Sequence, residues 1–353
     1  MADNHSTSVV RQSSVTRRGF VAGAAALGAS VPLFGAGRVL AQAGAHRIDV
    51  HHHIVPPKWL DAVRKFKLDN PPLLNWTPAK TIEDMDKAGI ATSITSPTTP
   101  QVSFLDPEPA AAVARASNEY AKQLMSDHPG RFGVFAMLPM PHVDESLKEI
   151  EYAFDVLKVD GVGMMTSYGD KWLGHPQFQP VFDELNRRKA TVYTHPTGAN
   201  CCVNLVPGIA EAAIEFGTDT TRTIASLIFS GASQRQKDIN FIFSHGGGVL
   251  TAVAERFQIQ LVTTPPYKDK FTREQVDHEL FRFYYDTAQI SNAVTIQALA
   301  KLVPISQIVF GTDFPYRTGA EHVQGLAKAF SGADLRAIDR DNALRILPRL
   351  KAA

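Results

Sequence analysis

The chain of 353 residues is 44% hydrophobic and 20% charged, which is enough for one large α/β domain or two ordinary ones with a full core. Its formal charge of +1 comes from interspersed acids and bases without a long basic stripe, so we expect no nucleic-acid partner. The two cysteines, Cys201 and Cys202, are adjacent, and neighbouring cysteines rarely bridge each other. These observations exclude a disulfide scaffold and a four-cysteine zinc site.

The N-terminal segment has the features of an export signal. Residues 16–21 (TRRGFV) resemble the twin-arginine signature, an apolar run follows at 21–34, and 41–43 (AQA) fit the small-x-small pattern of signal cleavage. We therefore predict a twin-arginine signal peptide over 1–43, export to the periplasm or the outside, and no membrane span after cleavage. The alternative is an N-terminal membrane anchor, but the apolar run is short and glycine-rich for a span of ~20 residues.

Residues 44–353 alternate between short apolar or β-branched runs and longer segments with helical periodicity. The eight predicted strands are 47–54, 91–97, 131–138, 161–168, 191–197, 239–244, 281–287 and 308–312. The predicted helices include 107–127, 143–157, 177–188, 219–230, 248–261, 293–302 and 341–350, with Asp219 and the pair Asp106-Pro107 as start signals. This alternation predicts a parallel sheet closed into a single (β/α)₈ TIM barrel.

A doubly wound open sheet is the structural alternative to the barrel. That fold needs a glycine-rich phosphate-binding turn after its first strand, whereas this chain has His-His-His-Ile-Val-Pro-Pro there. Three longer stretches, 56–80, 198–217 and 263–279, interrupt the alternation. We expect these loop insertions to cap the active face of the barrel or to contact another subunit.

Histidines and an aspartate stand at the carboxyl ends of four predicted strands: His51 and His53, His195, His245, and Asp313. A barrel brings all of its strand ends to one rim, where barrel enzymes bind their substrates. His51 and His53 are two apart on a strand and face the same way, so His52 should pack outward against a helix. A lone histidine is more often a hydrogen-bonded core residue, and a lone aspartate a turn residue, but the joint occurrence predicts a metal centre.

At these residues the chain resembles the metal-dependent amidohydrolase superfamily, in particular the branch of aminocarboxymuconate semialdehyde decarboxylase and the salicylate-type decarboxylases. The matching segments are 48–53 (IDVHHH), 193–196 (YTHP), 243–248 (FSHGGG), 311–315 (GTDFP) and 341–343 (DNA). Two further segments, 161–169 and 219–223, look closer to the 6-methylsalicylate decarboxylase-like proteins of that branch. The resemblance extends from Arg47 to about Leu350 and implies the barrel fold.

The resemblance also implies the roles of the residues at the rim. His51, His53, His195 and Asp313 would hold one divalent ion, and His245 would stand beside it as the catalytic acid/base. Relatives that use manganese often replace one histidine of the first pair with glutamate, so the two histidines here favour zinc, with manganese as the alternative. Nitrogen and carboxylate ligands suit Zn²⁺ with one position left open.

The function that the resemblance implies is non-oxidative decarboxylation of a small hydroxy-aromatic or related unsaturated carboxylic acid. Asp313 would stand near the ring carbon that is protonated before carbon dioxide leaves. A hydrolase of an ester, lactone or amide would use the same ligands, so this alternative stays open. A metal-bearing barrel that binds a ligand without turnover is a third possibility, disfavoured because an unliganded histidine accompanies the ligand set.

Arg256 matches an arginine that such enzymes extend across a dimer interface, which implies a substrate-binding role and a homodimer. A surface helix arginine is the alternative reading. The muconate-semialdehyde enzyme has another arginine in the loop after its first strand, and residues 75–80 contain none. We therefore expect a monocarboxylate with a phenol as substrate. Four aromatic residues could line its pocket or belong to the core: Phe104, Trp172, Tyr284 and Tyr316.

Overall fold

The computed structural model describes residues 47–265 and 267–351. The predicted signal peptide at 1–43, its cleavage site and the first residues of the predicted barrel lie outside this part of the chain. Eight strands form one sheet in the order of the chain, and each recorded pair of neighbours is parallel. They are β1 (Arg47–His53), β2 (Ile90–Ser96), β3 (Phe132–Met137), β4 (Gly161–Met165), β5 (Thr191–His195), β6 (Asn240–Phe243), β7 (Tyr284–Asp286) and β8 (Ile308–Val309).

The segment around and after β8 returns to β1 and closes the sheet into a barrel. The backbone N–H of Val50 donates to the carbonyl of Phe310 at 2.9 Å, and that of His53 donates to the carbonyl of Phe314 at 2.8 Å. His52 and Phe314 form an isolated parallel bridge at the same edge. The predicted (β/α)₈ TIM barrel is therefore confirmed, and the open doubly wound sheet is excluded.

Helices connect the strands in chain order. The α-helices are α1 (Pro57–Lys65), α2 (Pro71–Leu74), α3 (Pro78–Ala88), α4 (Pro107–Asp127), α5 (Val143–Tyr152), α6 (Gln179–Arg187), α7 (Glu211–Phe229), α8 (Ala232–Arg235), α9 (Leu250–Thr263), α10 (Arg273–Arg282), α11 (Ala293–Leu302), α12 (Gly319–Ala329), α13 (Gly332–Arg336) and α14 (Asn342–Ile346). The predicted bounds of α4 and α11 agree with the structure. None of the helices within the described ranges combines the length and the apolar character needed to cross a bilayer.

Local signals explain where several helices begin and end. The Thr77 side chain accepts a hydrogen bond from the backbone of Lys80 at the start of α3, and Gly89 ends that helix with φ of 64°. α10 begins with a capping box between Thr272 and Gln275. α10 was not predicted, and it occupies the residues assigned to the start of the seventh strand, so β7 begins later than expected.

The predicted helix start at Asp219 is wrong. α7 begins at Glu211, and Asp219 lies inside it with a fully buried side chain. Its carboxylate accepts hydrogen bonds from the indole N–H of Trp172 at 2.6 Å, from the Ser167 hydroxyl at 3.0 Å and from the Thr166 hydroxyl. An aspartate is typical of a helix start, but here its carboxylate binds a short antiparallel hairpin, formed by Ser167–Tyr168 and Lys171–Trp172, instead of the backbone of its own helix.

The core has two parts. The larger hydrophobic cluster includes residues from strands and from the surrounding helices, such as Phe241 and Leu227. A smaller cluster joins strand residues, including Ile48 and Tyr284, to Ile346 of α14. The Thr191 hydroxyl at the beginning of β5 donates to the Ile346 carbonyl at 2.7 Å, so the C-terminal segment covers the amino end of the barrel. The carboxyl end is left for the polar residues.

Candidate metal centre

The carboxyl ends of β1 and β5 and the turn after β8 bring His51, His53, His195 and Asp313 together. One ligand atom from each residue lies within 4.8 Å of the others, and all four residues are buried. The Nε2 atoms of His51 and His53 are 3.2 Å apart, and they lie 3.2 and 3.1 Å from Asp313 Oδ1. His195 Nε2 is 4.0 Å from the same oxygen. The structure thus gathers the four residues that the strand ends indicated.

The other ring nitrogen of each histidine determines where its proton lies. Each Nδ1 faces an oxygen, with distances of 2.8 Å from His51 to Asp286 Oδ2, 3.2 Å from His53 to the Ser96 carbonyl and 2.8 Å from His195 to the Pro196 carbonyl. Because these oxygens only accept, each Nδ1 donates, which leaves the lone pairs of the neutral rings on Nε2. Two such lone pairs 3.2 Å apart repel unless a cation lies between them, so the donor set fits a metal ion.

The charges around His51 also favour a cation. Burial lowers the pKa of His51, but the carboxylates of Asp286 and Asp313 outweigh it and raise this pKa to about 10. Burial would raise the pKa of Asp313, yet the surrounding histidines hold it well below its usual value. Burial lowers the pKa of His195 to about 3. Buried carboxylates beside the imidazoles attract positive charge, which a proton on His51 or a bound cation supplies, so the three-histidine, one-aspartate site suits one divalent metal ion.

His52 faces away from this cluster, as predicted. Its Nδ1 lies 2.9 Å from Asp49 Oδ2, and its ring stacks on Phe314 with centroids 4.8 Å apart. Its Nε2 points towards the Thr81 hydroxyl of α3 at 3.4 Å. The Thr312 hydroxyl donates to the same oxygen of Asp49 at 2.7 Å. His52 and Asp49 therefore hold β1 against the segment that carries Asp313.

His245 lies beside the cluster of His51, His53, His195 and Asp313, and it borders a cavity at the carboxyl end of the barrel. It follows β6, its Nε2 is 3.3 Å from Asp313 Oδ2, and its ring stacks on His51 with centroids 5.1 Å apart. Its backbone N–H donates to Asp286 Oδ1 at 2.9 Å. Asp286 thus fixes the His51 ring through one oxygen and the His245 backbone through the other.

A cavity of about 590 Å³ lies above these residues. Its floor includes His195, His245 and Asp313, and its walls carry apolar side chains such as Phe216 and Ile290. The described residues that line it include no lysine or arginine. A volume of this size is typical of small-molecule sites. The site is thus an apolar pocket with a polar, metal-binding floor.

Residues 48–349 match the model of the amidohydrolase family. The chain belongs to this family. A similar relative is decarboxylase yanB of Aspergillus niger, 34% identical over 332 residues that cover 86% of this chain and 88% of the relative. Another is 6-methylsalicylic acid decarboxylase acuB of Aspergillus aculeatus, 33% identical over 325 residues that cover 87% of this chain and 97% of the relative. These matches confirm the resemblance inferred from the sequence motifs.

A solved structure supports the fold of this amidohydrolase. Dihydroxybenzoic acid decarboxylase from Polaromonas sp. JS666, crystallised with bound manganese and the inhibitor 2-nitroresorcinol, matches it with a TM-score of 0.76. The match covers 87% of this chain and 98% of that chain at 22% sequence identity. At this identity the likeness concerns the barrel and its connections.

Two residues of the amidohydrolase site were missed from the sequence. Asp286 is the last residue of β7, and its carboxylate accepts the hydrogen bond from His51 Nδ1. The sequence could have indicated it, because it is an acidic residue at the carboxyl end of a predicted strand, as Asp313 is. Gln289 donates its side-chain amide to Asp313 Oδ2 at 2.7 Å. No motif marked Gln289, since its position depends on a left-handed turn after β7, with φ of 61°.

Arg256 is not brought into the site. It is exposed on α9, and it is absent from the described residues that line the cavity. Its role across a dimer interface stays a prediction, because that role requires a second subunit.

Of the four aromatic residues expected around the pocket, one lines the cavity and three lie elsewhere. Only Tyr316 of the four lines the cavity. Tyr284 belongs to the cluster at the amino end, Phe104 packs against Phe66 with centroids 5.0 Å apart, and Trp172 donates to Asp219. For those three residues the pocket expectation is wrong, because their strand and loop positions turn them towards other packing partners.

The predicted loop insertion 198–217 does cap the active face. One wall of the cavity is formed at the start of α7 by Ala212, Ala213, Ile214, Phe216 and Gly217. α7 sits directly on the glycine turn after His245, where a Cβ built on Gly248 would lie 1.9 Å from the Gly217 carbonyl oxygen. The hydrogen bonds to Asp219 also hold α7 in place. The close approach explains why glycine is needed at 248.

Proposed function

We propose that this amidohydrolase is a metal-dependent decarboxylase of small hydroxy-aromatic carboxylic acids. The observation that carries the proposal is the buried three-histidine, one-aspartate site with an unliganded His245 beside it on the cavity floor. Relatives that are 33–34% identical over most of this chain carry decarboxylase names, one of them for 6-methylsalicylic acid. The site and these relatives favour the same reaction class.

The residues that would hold the ion are His51, His53 and His195 through Nε2, and Asp313 through Oδ1. When bound, the ion supplies a template and a Lewis acid for the carboxylate and the neighbouring oxygen of the substrate. We propose zinc, because three imidazole nitrogens and one carboxylate are a ligand set that zinc favours. Manganese, which the Polaromonas enzyme binds, is the alternative that metal analysis distinguishes.

Asp313 and His245 are the groups that can move a proton at the cavity floor. His245 Nε2 lies 3.3 Å from Asp313 Oδ2, so one proton can be shared between them and delivered to the ring of a bound acid. In the reaction, the ring carbon that bears the carboxylate takes this proton, the bond between that carbon and the carboxylate breaks, its electron pair restores the aromatic ring, and carbon dioxide leaves. A positioned acid of this kind typically contributes about 10²–10⁴-fold in rate.

The cavity favours a substrate with a single carboxylate. Within a single chain, its described lining has no lysine or arginine for a second carboxylate, and apolar side chains such as Phe216, Val249 and Ile290 suit one face of an aromatic ring. The Tyr316 hydroxyl accepts a hydrogen bond from Asn70 at 3.3 Å and offers a polar contact in the same cavity. A monocarboxylate with a phenol fits this lining better than a dicarboxylate does.

The test is to incubate purified, metal-analysed protein with a panel of hydroxybenzoates, one benzene dicarboxylate and simple esters. We expect carbon dioxide release from ortho-hydroxybenzoates, with little release from the dicarboxylate. Acid release from the esters without carbon dioxide would instead support a hydrolase, which could use His245 as a base towards water. Denatured protein and metal-stripped protein are the controls.

We also propose a homodimer in which α9 faces a second copy and Arg256 reaches the partner's cavity. The support is that Arg256 is exposed, and that the segment before α7 exposes Val203, Leu205, Val206 and Ile209. Exposed apolar side chains in one segment are typical of interaction surfaces. Light scattering on the purified protein should give twice the chain mass, and Arg256→Ala should raise KM. A monomer with full activity would contradict this proposal.

Export by the twin-arginine route is our proposal for the N-terminal segment. It is supported by the Arg17-Arg18 pair and the apolar run after it. Cell fractionation should find the protein outside the cytoplasm, and replacing both arginines with lysine should retain it inside. Unchanged export of the double variant would contradict the proposal.

A further inference from the structure

Gln289 contacts Asp313 of the proposed metal site at the carboxylate oxygen that does not face His51 and His53. Its side-chain Nε2 donates to Asp313 Oδ2 at 2.7 Å, while Asp313 Oδ1 lies 3.1–3.2 Å from the Nε2 atoms of His53 and His51. The two oxygens of one carboxylate therefore have separate partners. The amide and His245 Nε2 approach the outer oxygen, Oδ2, and the inner oxygen, Oδ1, faces the imidazoles of His51 and His53.

The orientation of this amide is fixed by its own partners. Arg317 Nη1 donates to Gln289 Oε1 at 3.3 Å, and Arg317 is anchored by Glu321 at 2.6 Å. A guanidinium only donates and a carboxylate only accepts, so the oxygen of the amide must face Arg317 and its nitrogen must face Asp313. The reverse orientation would lose both contacts.

The backbone of Gln289 is held in place by a histidine that the metal site does not use. Gln289 has φ of 61°, which is uncommon for a residue other than glycine. Its backbone N–H donates to His322 Nε2 at 3.1 Å, and His322 Nδ1 donates to the Thr318 carbonyl at 2.9 Å. His322 is buried, and both of its ring nitrogens have partners. Its acceptor nitrogen thus supports the left-handed turn.

Three left-handed residues meet at the same carboxylate oxygen. Asp313 has φ of 63°, His245 of 54° and Gln289 of 61°. His245 Nε2 and Gln289 Nε2 both approach Asp313 Oδ2, at 3.3 and 2.7 Å. Unfavourable backbone conformations persist where the surrounding contacts enforce them, and they are common at functional sites. Gln289 shares this feature with the two residues assigned to proton movement.

Gln289 also separates two cavities. It lines the main cavity above the metal site and a second, polar cavity of about 230 Å³ behind it. The second cavity is lined by Gln289, Ser291, Asn292, Arg317, Glu321 and His322. Shortening the glutamine would join the two spaces and let water replace the amide at Asp313.

We propose that Gln289 is a positioning residue that holds the outer oxygen of Asp313, so that the inner oxygen faces the metal ion, and that His322 acts through it. This inference rests on the proposed metal site. The partners that orient metal ligands typically contribute about 10–100-fold to metal affinity or activity. The alternative is a glutamine that merely fills the wall of the cavity.

The main test is Gln289→Met, which keeps the length of the side chain and removes its donor. Metal affinity is measured by competition with a chelator for zinc, on protein whose folding is checked by circular dichroism. We expect the affinity to fall about 10–100-fold and kcat to fall more than KM rises. Gln289→Glu, which places a charge against Asp313, should weaken zinc binding further.

Two variants keep the test decisive. Gln289→Asn retains the amide and suits the left-handed backbone, but it is one methylene too short to reach Asp313, so it should resemble Gln289→Met. The matched control is Ser291→Ala, in the same turn and the same polar cavity, whose hydroxyl donates to the Thr287 carbonyl at 2.8 Å. This control should bind zinc within about twofold of the unmodified protein.

His322 provides a rescue experiment. His322→Ala removes the acceptor for the Gln289 backbone and should weaken zinc binding in the same direction as Gln289→Met, by a smaller factor. His322→Gln offers an oxygen near the position of Nε2 and should restore part of the affinity. A purely structural role of His322 would lower the melting temperature in both variants without changing zinc affinity.

Two results would overturn the inference, and they are distinguishable. If the unmodified protein binds a stoichiometric ion and Gln289→Met binds it equally tightly with the same kcat, Gln289 does not position Asp313. If the unmodified protein itself binds no divalent ion, the proposed metal site fails and this inference fails with it.

Discussion

The two ends of the barrel bury opposite kinds of side chain. At the amino end, Ile48 and Tyr284 pack against Ile346 of the C-terminal segment in an apolar cluster. At the carboxyl end, histidines and carboxylates are equally buried, and Asp313 and His245 adopt left-handed backbone conformations. Apolar burial stabilises the fold, whereas buried ionisable groups cost free energy unless partners or an ion compensate. The amino end of the barrel therefore stabilises the fold, and the carboxyl end holds the residues of the candidate site.

The largest effect at the carboxyl end of the barrel is expected from His195→Ala, which removes a proposed metal ligand. We expect loss of the bound divalent ion and of activity, because one of three nitrogen ligands is removed while the apolar end is unchanged. Elemental analysis and a carbon dioxide assay measure both effects. His278→Ala, at an exposed position on α10, is the matched control and should keep both. A fully active His195→Ala enzyme is incompatible with the assigned ligand set.

His245→Ala separates metal binding from turnover at the same end. The residue lies beside the ligands and not among them, so the ion should remain while kcat falls about 10²–10⁴-fold. His245→Asn repeats the test with a residue that tolerates the left-handed backbone. Retention of full activity in both variants would refute the acid/base role.

A substitution at the amino end of the barrel should change the stability of the protein but not its metal content or activity. Ile346→Ala removes a buried side chain from the apolar cluster and should cost about 2–5 kcal/mol in the free energy of unfolding. Denaturant unfolding measures this loss. Metal content and kcat, assayed well below the melting temperature, should be unchanged. A loss of metal from this variant would mean that the two ends are not independent.

The smallest effect is expected on the outer surface. Hydrogen bonds from Arg187, together with those from Arg188, lower the pKa of Glu184 from 4.5 to about 2. Because the pKa is lowered in the folded state, this stabilisation is present above about pH 4.5 and is lost as the pH falls towards 2. Glu184→Gln should cost up to about 1 kcal/mol at pH 7 and less at pH 3, in urea unfolding. Glu151→Gln, an exposed glutamate on α5, should show no such difference.

The sequence predicts the parts of this molecule that depend on periodicity. Eight alternating runs were sufficient for the barrel, and the spacing of His51 and His53 placed both imidazoles on one side of β1. The barrel then brought His195 and Asp313 to them. Strand ends could also have indicated Asp286, which follows the same rule.

The features that the sequence did not predict depend on contacts between segments that are distant along the chain. Asp219 is typical of a helix start, but a hairpin from another part of the chain binds its carboxylate. Tyr284 lies at the amino end because β7 begins three residues later than its apolar run suggested. Gln289 faces Asp313 because of a left-handed turn supported by His322. Such features follow from tertiary packing, which local patterns do not encode.

The most direct test of the account is elemental analysis of purified, active protein. We predict one divalent ion per chain, removable by a chelator together with activity and restored by adding zinc or manganese. Active protein that contains no stoichiometric divalent ion would contradict the assignment of His51, His53, His195 and Asp313 as its ligands.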